Sequence, residues 1–320
     1  MGKISARLAG PGPAEAWTHV EVRPAVRGAN LLRTSRYAPA VEAEQKLAPS
    51  RLTTADAGRA TRVRRPLASL IASAELLRVL TESDLRFRYG RGPWRFVRWL
   101  FEPVALVGVY LILVTFVLDR PGTAPGLSLT CAVVPFQLVM LTIANVMMTL
   151  DSRRPILLNM AFKRMLIPPA SALTESVGFA SSLLLIVAMM AIYGVAPTWN
   201  ILWFPLVFAL NLLLAAAAAY PAILLGIWLR ELRTFVLSFV RILFFLGPGL
   251  VPLSQTDAGV RELLRLNPLT GLFEAYRDCF LYGRTPAAWE LLVPLAAAVL
   301  LLIVFVPVYR VEQRQFAKVI

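Results

Sequence analysis

The 320-residue sequence has two cysteines, Cys131 and Cys279, and one histidine, His19. Two cysteines exclude a disulfide scaffold and a Cys-rich metal site. A lone histidine leaves no His cluster for a metal and no Ser-His pair in the hydrophobic part, so hydrolase and metalloenzyme readings start weak. Charge is scarce as well. Charged residues make up 16% of the chain and hydrophobic residues 58%, where an average soluble domain has ~25% and ~45–50%. With a mean hydropathy of +0.65, there is too little polar surface to cover a water-soluble globule, and the chain needs lipid around it. No Gly-x-x-x-x-Gly-Lys-[Ser/Thr] phosphate loop occurs, so any ATP-driven work places the nucleotide site on a separate polypeptide.

The charge that is present is uneven. Residues 1–100 hold 18 Lys+Arg against 8 Asp+Glu, and the remaining 220 hold 15 against 11. A basic stripe is the footprint of phosphate binding, but this excess adjoins a long apolar region. Cytoplasmic retention and attraction to anionic lipid heads is the simpler account, and no nucleic-acid partner is expected. Residues 1–65 mix Ala, Pro, Gly and Arg without helical or strand periodicity and read as a flexible cytoplasmic tail. No apolar run follows Met1, so no secretory signal is expected.

Six spans are predicted, each of about 20 mostly apolar residues. They run over 99–118, 127–150, two within the uncharged stretch 176–229, then 234–253 and 291–309. The break inside 176–229 is placed at Gly194-Val195-Ala196-Pro197. Loop charges orient them. The loop 151–170 carries Arg153, Arg154, Lys163 and Arg164, and the loop 229–233 carries Arg230 and Arg233. The tail carries Arg310, Arg314 and Lys318, while the loop 194–201 is uncharged. Basic loops alternate with neutral ones, which puts both termini in the cytoplasm.

Three amphipathic pieces lie between or before the spans. In 66–89, Leu67, Leu70, Ile71, Ala74 and Leu77 recur at helical spacing with Glu75, Arg78, Glu82, Asp84, Arg86 and Arg88 around them, the pattern of a helix lying at the cytoplasmic interface. In 153–169, Ile156, Leu157, Met160 and Phe162 alternate with Asn159, Lys163 and Arg164. This reads either as a short helix offered to a cytoplasmic partner or as a juxtamembrane turn with snorkelling bases. In 258–283, Val260, Leu263 and Leu264 form one short face, and Asn267-Pro268 then fits an N-cap and first helical position. Leu269, Leu272, Phe273, Tyr276 and Phe280 follow, with Gly283 as the stop. Two short helices joined there predict an outer re-entrant hairpin, allowed only where protein or a water-filled cavity covers its backbone. Within the spans, Arg241, Glu175, Asn145 and Asn211 are polar. Arg241 is either a functional residue or one that snorkels to the cytoplasm, and the two asparagines are candidates for interhelical bonds.

The fold class is therefore an all-α membrane protein. It has six transmembrane helices (99–320), an amphipathic interface helix region (66–98) and a helical hairpin before the last span. In that order of elements the chain resembles the permease subunits of type-2 ABC exporters that carry lipid-linked polysaccharides of the O-antigen, teichoic acid or galactan types. Four segments carry the likeness: SDLRFRYGRGPWRFVRWLFEP (83–103), LLNMAFKRMLIPPASAL (157–173), LNPLTGLFEAYRDCFLYGRTP (266–286) and YRVEQRQFAKVI (309–320). Glu102 stands where a neutral or amide residue is usual in that family.

The resemblance implies a cytoplasmic-membrane homodimer working with two ATPase subunits. No cofactor is expected on this chain, ATP and Mg residing on the partner. The loop with Arg153, Arg154, Asn159, Phe162 and Lys163, together with Asp84 and Arg86, would contact the ATPase. The cargo would be a glycan on a polyprenyl diphosphate. Arg88, Arg91, Arg95 and Arg98, with Arg86 beside them, would hold the diphosphate at the entrance, or simply be positive-inside charge. Tyr110, Phe116, Phe136, Trp203 and Tyr220 would line a channel, with Phe204 a further candidate, or else serve in the lipid belt and in helix packing. Asn267, Pro268, Phe273, Tyr276 and Arg277 would form the outer gate. Three alternatives stand beside this reading: a type-2 ABC exporter of drugs or small lipids, a passive channel, and a membrane-bound glycan-processing enzyme. The enzyme would have only Asp257, Glu262, Glu274 and Asp278 as clustered acids.

Overall fold

A computed structural model describes residues 65–89, 94–117, 122–152, 164–229, 231 and 233–313. Among them every regular element is helical. In chain order these are α1 (Arg65–Tyr89), α2 (Trp94–Ile112, continued by a π turn over Leu113–Val117), α3 (Pro125–Ser152), α4 (Ile167–Tyr193) and α5 (Phe204–Trp228). Next come α6 (Arg233–Leu246), α7 (Ala258–Arg265), α8 (Pro268–Arg277, continued by a π turn over Asp278–Tyr282) and α9 (Ala288–Glu312).

Five of these helical segments are long and apolar enough to cross a membrane: α2 with its π turn, α3, α4, α5 and α9. They fall on five of the six expected spans, and α4 ends at Gly194 as expected. The chain is thus an integral membrane protein. Helix α3 is the axis of the fold, and 89% of its membrane-length window is buried, against 11% for α9. The uncharged 121–150 stretch allows this: α3 meets α4 and α5 along most of its length and also touches α2, α6 and α8. Helix α9 packs on α5 and α8 and leaves its other face for lipid.

The expected fifth span, 234–253, is different. Helix α6 has 14 residues, about 21 Å at 1.5 Å per residue, short of the ~30 Å hydrocarbon core. Gly247-Pro248-Gly249 ends it, and Leu253–Gln255 form a 3-10 turn. Proline has no N–H and collides with the preceding turn, so an apolar stretch of span length does not continue as one helix.

Candidate functional site

The end of α6 and the α7–α8 hairpin form one hydrogen-bonded unit. Stopping a helix early leaves carbonyls unbonded, which is costly away from water. The hairpin supplies partners. The Asn267 side-chain amide donates to the Leu243 carbonyl at 2.7 Å, a second bond to an oxygen that already accepts from the Gly247 N–H at 2.9 Å, while its Oδ1 accepts from the Leu269 N–H at 3.0 Å and caps α8. Arg277 donates to the Gly249 carbonyl at 3.3 Å. Glu274 accepts from the Leu253 N–H at 2.9 Å.

Arg277 is the centre of this unit. It is fully buried, and its guanidinium donates to Glu274 at 2.7 Å and to the Ser128 hydroxyl at 3.0 Å. Ser128 lies in the first turn of α3, 149 residues away in sequence. One side chain therefore ties α3, the broken α6 and α8 together. A charge survives here because each neighbour accepts a hydrogen bond from it. Around it, Phe273 meets Phe244 of α6 edge-on at 5.6 Å, and Tyr276 meets Phe179 and Phe204. Gly271 lets α8 approach α9, since a Cβ there would lie 2.7 Å from the Glu290 carbonyl. Gly283, at φ +60°, closes the π turn in the left-handed region.

Two cavities flank this scaffold. One, of about 380 Å³, opens between the hairpin and the start of α9, lined by Arg261, Arg265, Asp278, Arg284, Trp289 and Glu290 among others. Asp278 accepts from Arg284 at 2.7 Å. Burial pushes the Asp278 carboxyl up to about 6, against the opposing pull of that hydrogen bond. Glu290 accepts from the Ala287 N–H at 3.1 Å and so caps α9. The other cavity, of about 190 Å³, lies among α2, α3 and α4, with Glu102, Gln137, Asn145, Glu175, Phe179 and Ser182 in its wall. There Asn145 donates to Glu175 at 2.6 Å.

The five predicted gate residues come together in the hairpin: Asn267 and Pro268 start α8, and Phe273, Tyr276 and Arg277 are buried along it. Of the predicted channel aromatics, Phe136 and Tyr110 share Phe244 as a neighbour and the others lie elsewhere. Phe136 is buried against Phe244 at 4.6 Å. Tyr220 is buried, donates to the Met165 carbonyl at 3.2 Å and meets Tyr309 edge-on. Tyr110 stacks on Phe244 at 5.6 Å. Trp203 is partly exposed, and Phe116, 80% exposed, points away from the packed core. Of the predicted coupling residues, Asp84 is buried with Thr174 of α4 at 3.5 Å, and Arg86 is exposed and paired with Glu82 one turn away. Arg153, Arg154, Asn159, Phe162, Lys163 and Arg91 lie outside the described residues, as do the side chains of Arg88, Arg95 and Arg98. Arg241 is exposed on α6.

The sequence reading missed Ser128, Gln137, Arg284 and Glu290 as members of these sites. It also placed Glu274, Arg277 and Asp278 on the side of the helix away from the apolar stripe, whereas all three are buried. The acids weighed for an enzyme are engaged: Glu274 by Arg277, Asp278 by Arg284 and Glu262 by Arg265.

Membrane-length helices around a charge-paired helical hairpin define a polytopic, all-helical membrane protein. No protein-family profile matches the chain. The particular relationship comes from relatives. The chain is 27% identical over 246 residues to the O-antigen export system permease protein RfbA of Myxococcus xanthus, covering 76% of this chain and 94% of that protein. Two proteins of the same name from Klebsiella pneumoniae are 21% identical over 210 residues, covering 65% of this chain and 81% of theirs. The chain is thus similar to proteins named as O-antigen export permeases, the kind of protein that its sequence resembles.

Proposed function

We propose that this chain is the transmembrane subunit of an ABC exporter that moves a polyprenyl-diphosphate-linked polysaccharide outward across the cytoplasmic membrane. Two copies pair, and a separate ATPase supplies the energy. The observation that carries the reading is the similarity over nearly the whole length of the Myxococcus relative, whose name states O-antigen export. Both termini and the loop 151–163 face the cytoplasm, as the alternation of basic and neutral loops favours, with α6 and the irregular segment 247–257 after it together making the fifth of six crossings. The loop and α1 meet the ATPase. Nucleotide-driven closure of the ATPases is passed to α3 and α4, which flank the loop, and opens a route between the two copies. The α7–α8 hairpin lies on the outer side and closes that route at rest.

Replacing Arg153, Arg154 and Lys163 by Asp reverses the charge of the loop. The expected result is loss of co-purifying ATPase and of surface glycan, with membrane insertion unchanged. ATPase recovery at the wild-type level would refute the coupling role. Surface glycan that persists when the gene is deleted would refute export itself.

A further inference from the structure

The 380 Å³ cavity beside the hairpin falls within the size range of small-molecule sites. On the orientation proposed above it opens at the outer face. Its wall is rich in guanidinium groups, which suggests an anion site. The pairing of those groups argues otherwise. Arg284 already donates to Asp278 at 2.7 Å, Arg265 to Glu262 at 2.6 Å, and Arg261 to the Thr256 carbonyl at 2.9 Å. Glu274, Asp278 and Glu290 are also in the wall, so an anion entering here meets carboxylates as well as cations.

A neutral polyol meets the same wall differently. Each hydroxyl both donates and accepts, so a carboxylate beside a guanidinium suits adjacent hydroxyls. The Nε donors of Arg261 and Arg265 are buried with no hydrogen-bond partner, and a buried donor left unmatched carries a penalty that a hydroxyl oxygen removes. Trp289 adds the apolar surface. Its indole is held by the Arg265 guanidinium, 5.2 Å from the ring centroid, and the C–H-rich face of a sugar ring packs well on such a surface.

We propose that this cavity is an outer sugar-binding site, holding an uncharged sugar residue of the glycan as it leaves the permease, with Trp289 as its platform and Arg261, Asp278 and Arg284 as its polar contacts. The proposal rests on the export reading for the source of the sugar, but not for the binding itself.

The purified full-length chain in detergent tests the binding. Saturation-transfer NMR is run with the methyl glycosides of glucose, galactose, mannose and rhamnose, and with methyl glucuronate and inorganic phosphate as anionic probes. Expected is transfer to at least one neutral glycoside, with millimolar affinity, weakened about tenfold in Trp289→Ala and retained in Trp289→Phe. Should Trp289→Ala fail to fold, Arg261→Gln is read in its place. Transfer to no neutral glycoside, transfer only to the anions, or transfer unchanged in these variants overturns the proposal.

Cells carrying Trp289→Ala test the source. A changed amount or length of surface glycan is expected, and an unchanged surface despite lost binding overturns the claim that the sugar is in transit. If surface glycan survives deletion of the gene, the export reading has failed, and the NMR result still decides whether the cavity binds sugar.

Discussion

Helices α7 and α8 are neighbours of similar length, joined at Leu266-Asn267, yet they end in opposite environments. No residue of α7 is buried. Its apolar side chains face outward, with Val260 48%, Leu263 65% and the following Leu266 71% exposed. In α8 every residue from Leu269 to Arg277 is buried, including an arginine and a glutamate. Both carry an apolar stripe at helical spacing, so the stripe alone does not decide burial. Two other features do. Gly271 lets α8 come within backbone distance of α9, and the charges of α8 meet fixed partners on α3 and on the broken end of α6. Two of the three charges of α7, on Glu262 and Arg265, pair within their own helix, and beyond it Arg265 reaches only the face of Trp289.

The contrast is broken most severely at Arg277. Arg277→Met leaves Glu274 charged in a buried site and removes the donor to Ser128 and Gly249. A loss of ~3–5 kcal/mol is expected, because an unpaired buried charge remains. It is read as a large fall in the thermal midpoint of the detergent-solubilised protein. Arg277→Met with Glu274→Gln removes both charges and should recover part of that fall. An unchanged midpoint in the single variant would mean that the network does not hold the hairpin.

Gly271 comes next. Gly271→Val places a branched side chain where even a Cβ lies 2.7 Å from the Glu290 carbonyl, so α8 and α9 must separate. Overpacking of this kind costs ~1–3 kcal/mol. The midpoint should fall less than for Arg277→Met, and Gly271→Ala should fall in between wild type and valine. A valine variant as stable as wild type would show that α8 has room to move outward as a body.

How these two helices read in the sequence follows the same division. Local signals were sound: Asn267-Pro268 marked the start of α8, Gly283 its stop, and Gly194 the end of α4. Five apolar stretches of span length became helices. The stretch 234–253 misled because its hydropathy is that of a span, while Gly247-Pro248-Gly249 sets the actual end of α6. Long-range facts were not legible at all. Nothing local to Ser128 announces that it meets an arginine 149 residues away, and Glu290 reads as an ordinary first-turn acid until its cavity is assembled. The aromatics divide for the reason α7 and α8 differ: residue type gives the capacity to pack, and neighbours decide where. Phe136 and Phe116 are the same residue, one against Phe244 in the core and one exposed.

The smallest effect on stability is expected in α7, where nothing depends on the exposed stripe. Leu263→Cys should leave the midpoint within about 0.5 kcal/mol of wild type, as for surface substitutions generally. The same variant reports what the stripe faces. Cys131 and Cys279 are both buried, so a thiol-reactive fluorophore reads position 263 with little background. With α7 on the outer leaflet, its label in a reconstituted bilayer should be quenched by brominated lipid and little by aqueous iodide, because an apolar face with charges opposite lies at the headgroup boundary. Quenching by iodide alone would put α7 in water. The apolar stripe would then have no lipid to face, and burial of α8 would no longer be set against a helix that lies on the membrane.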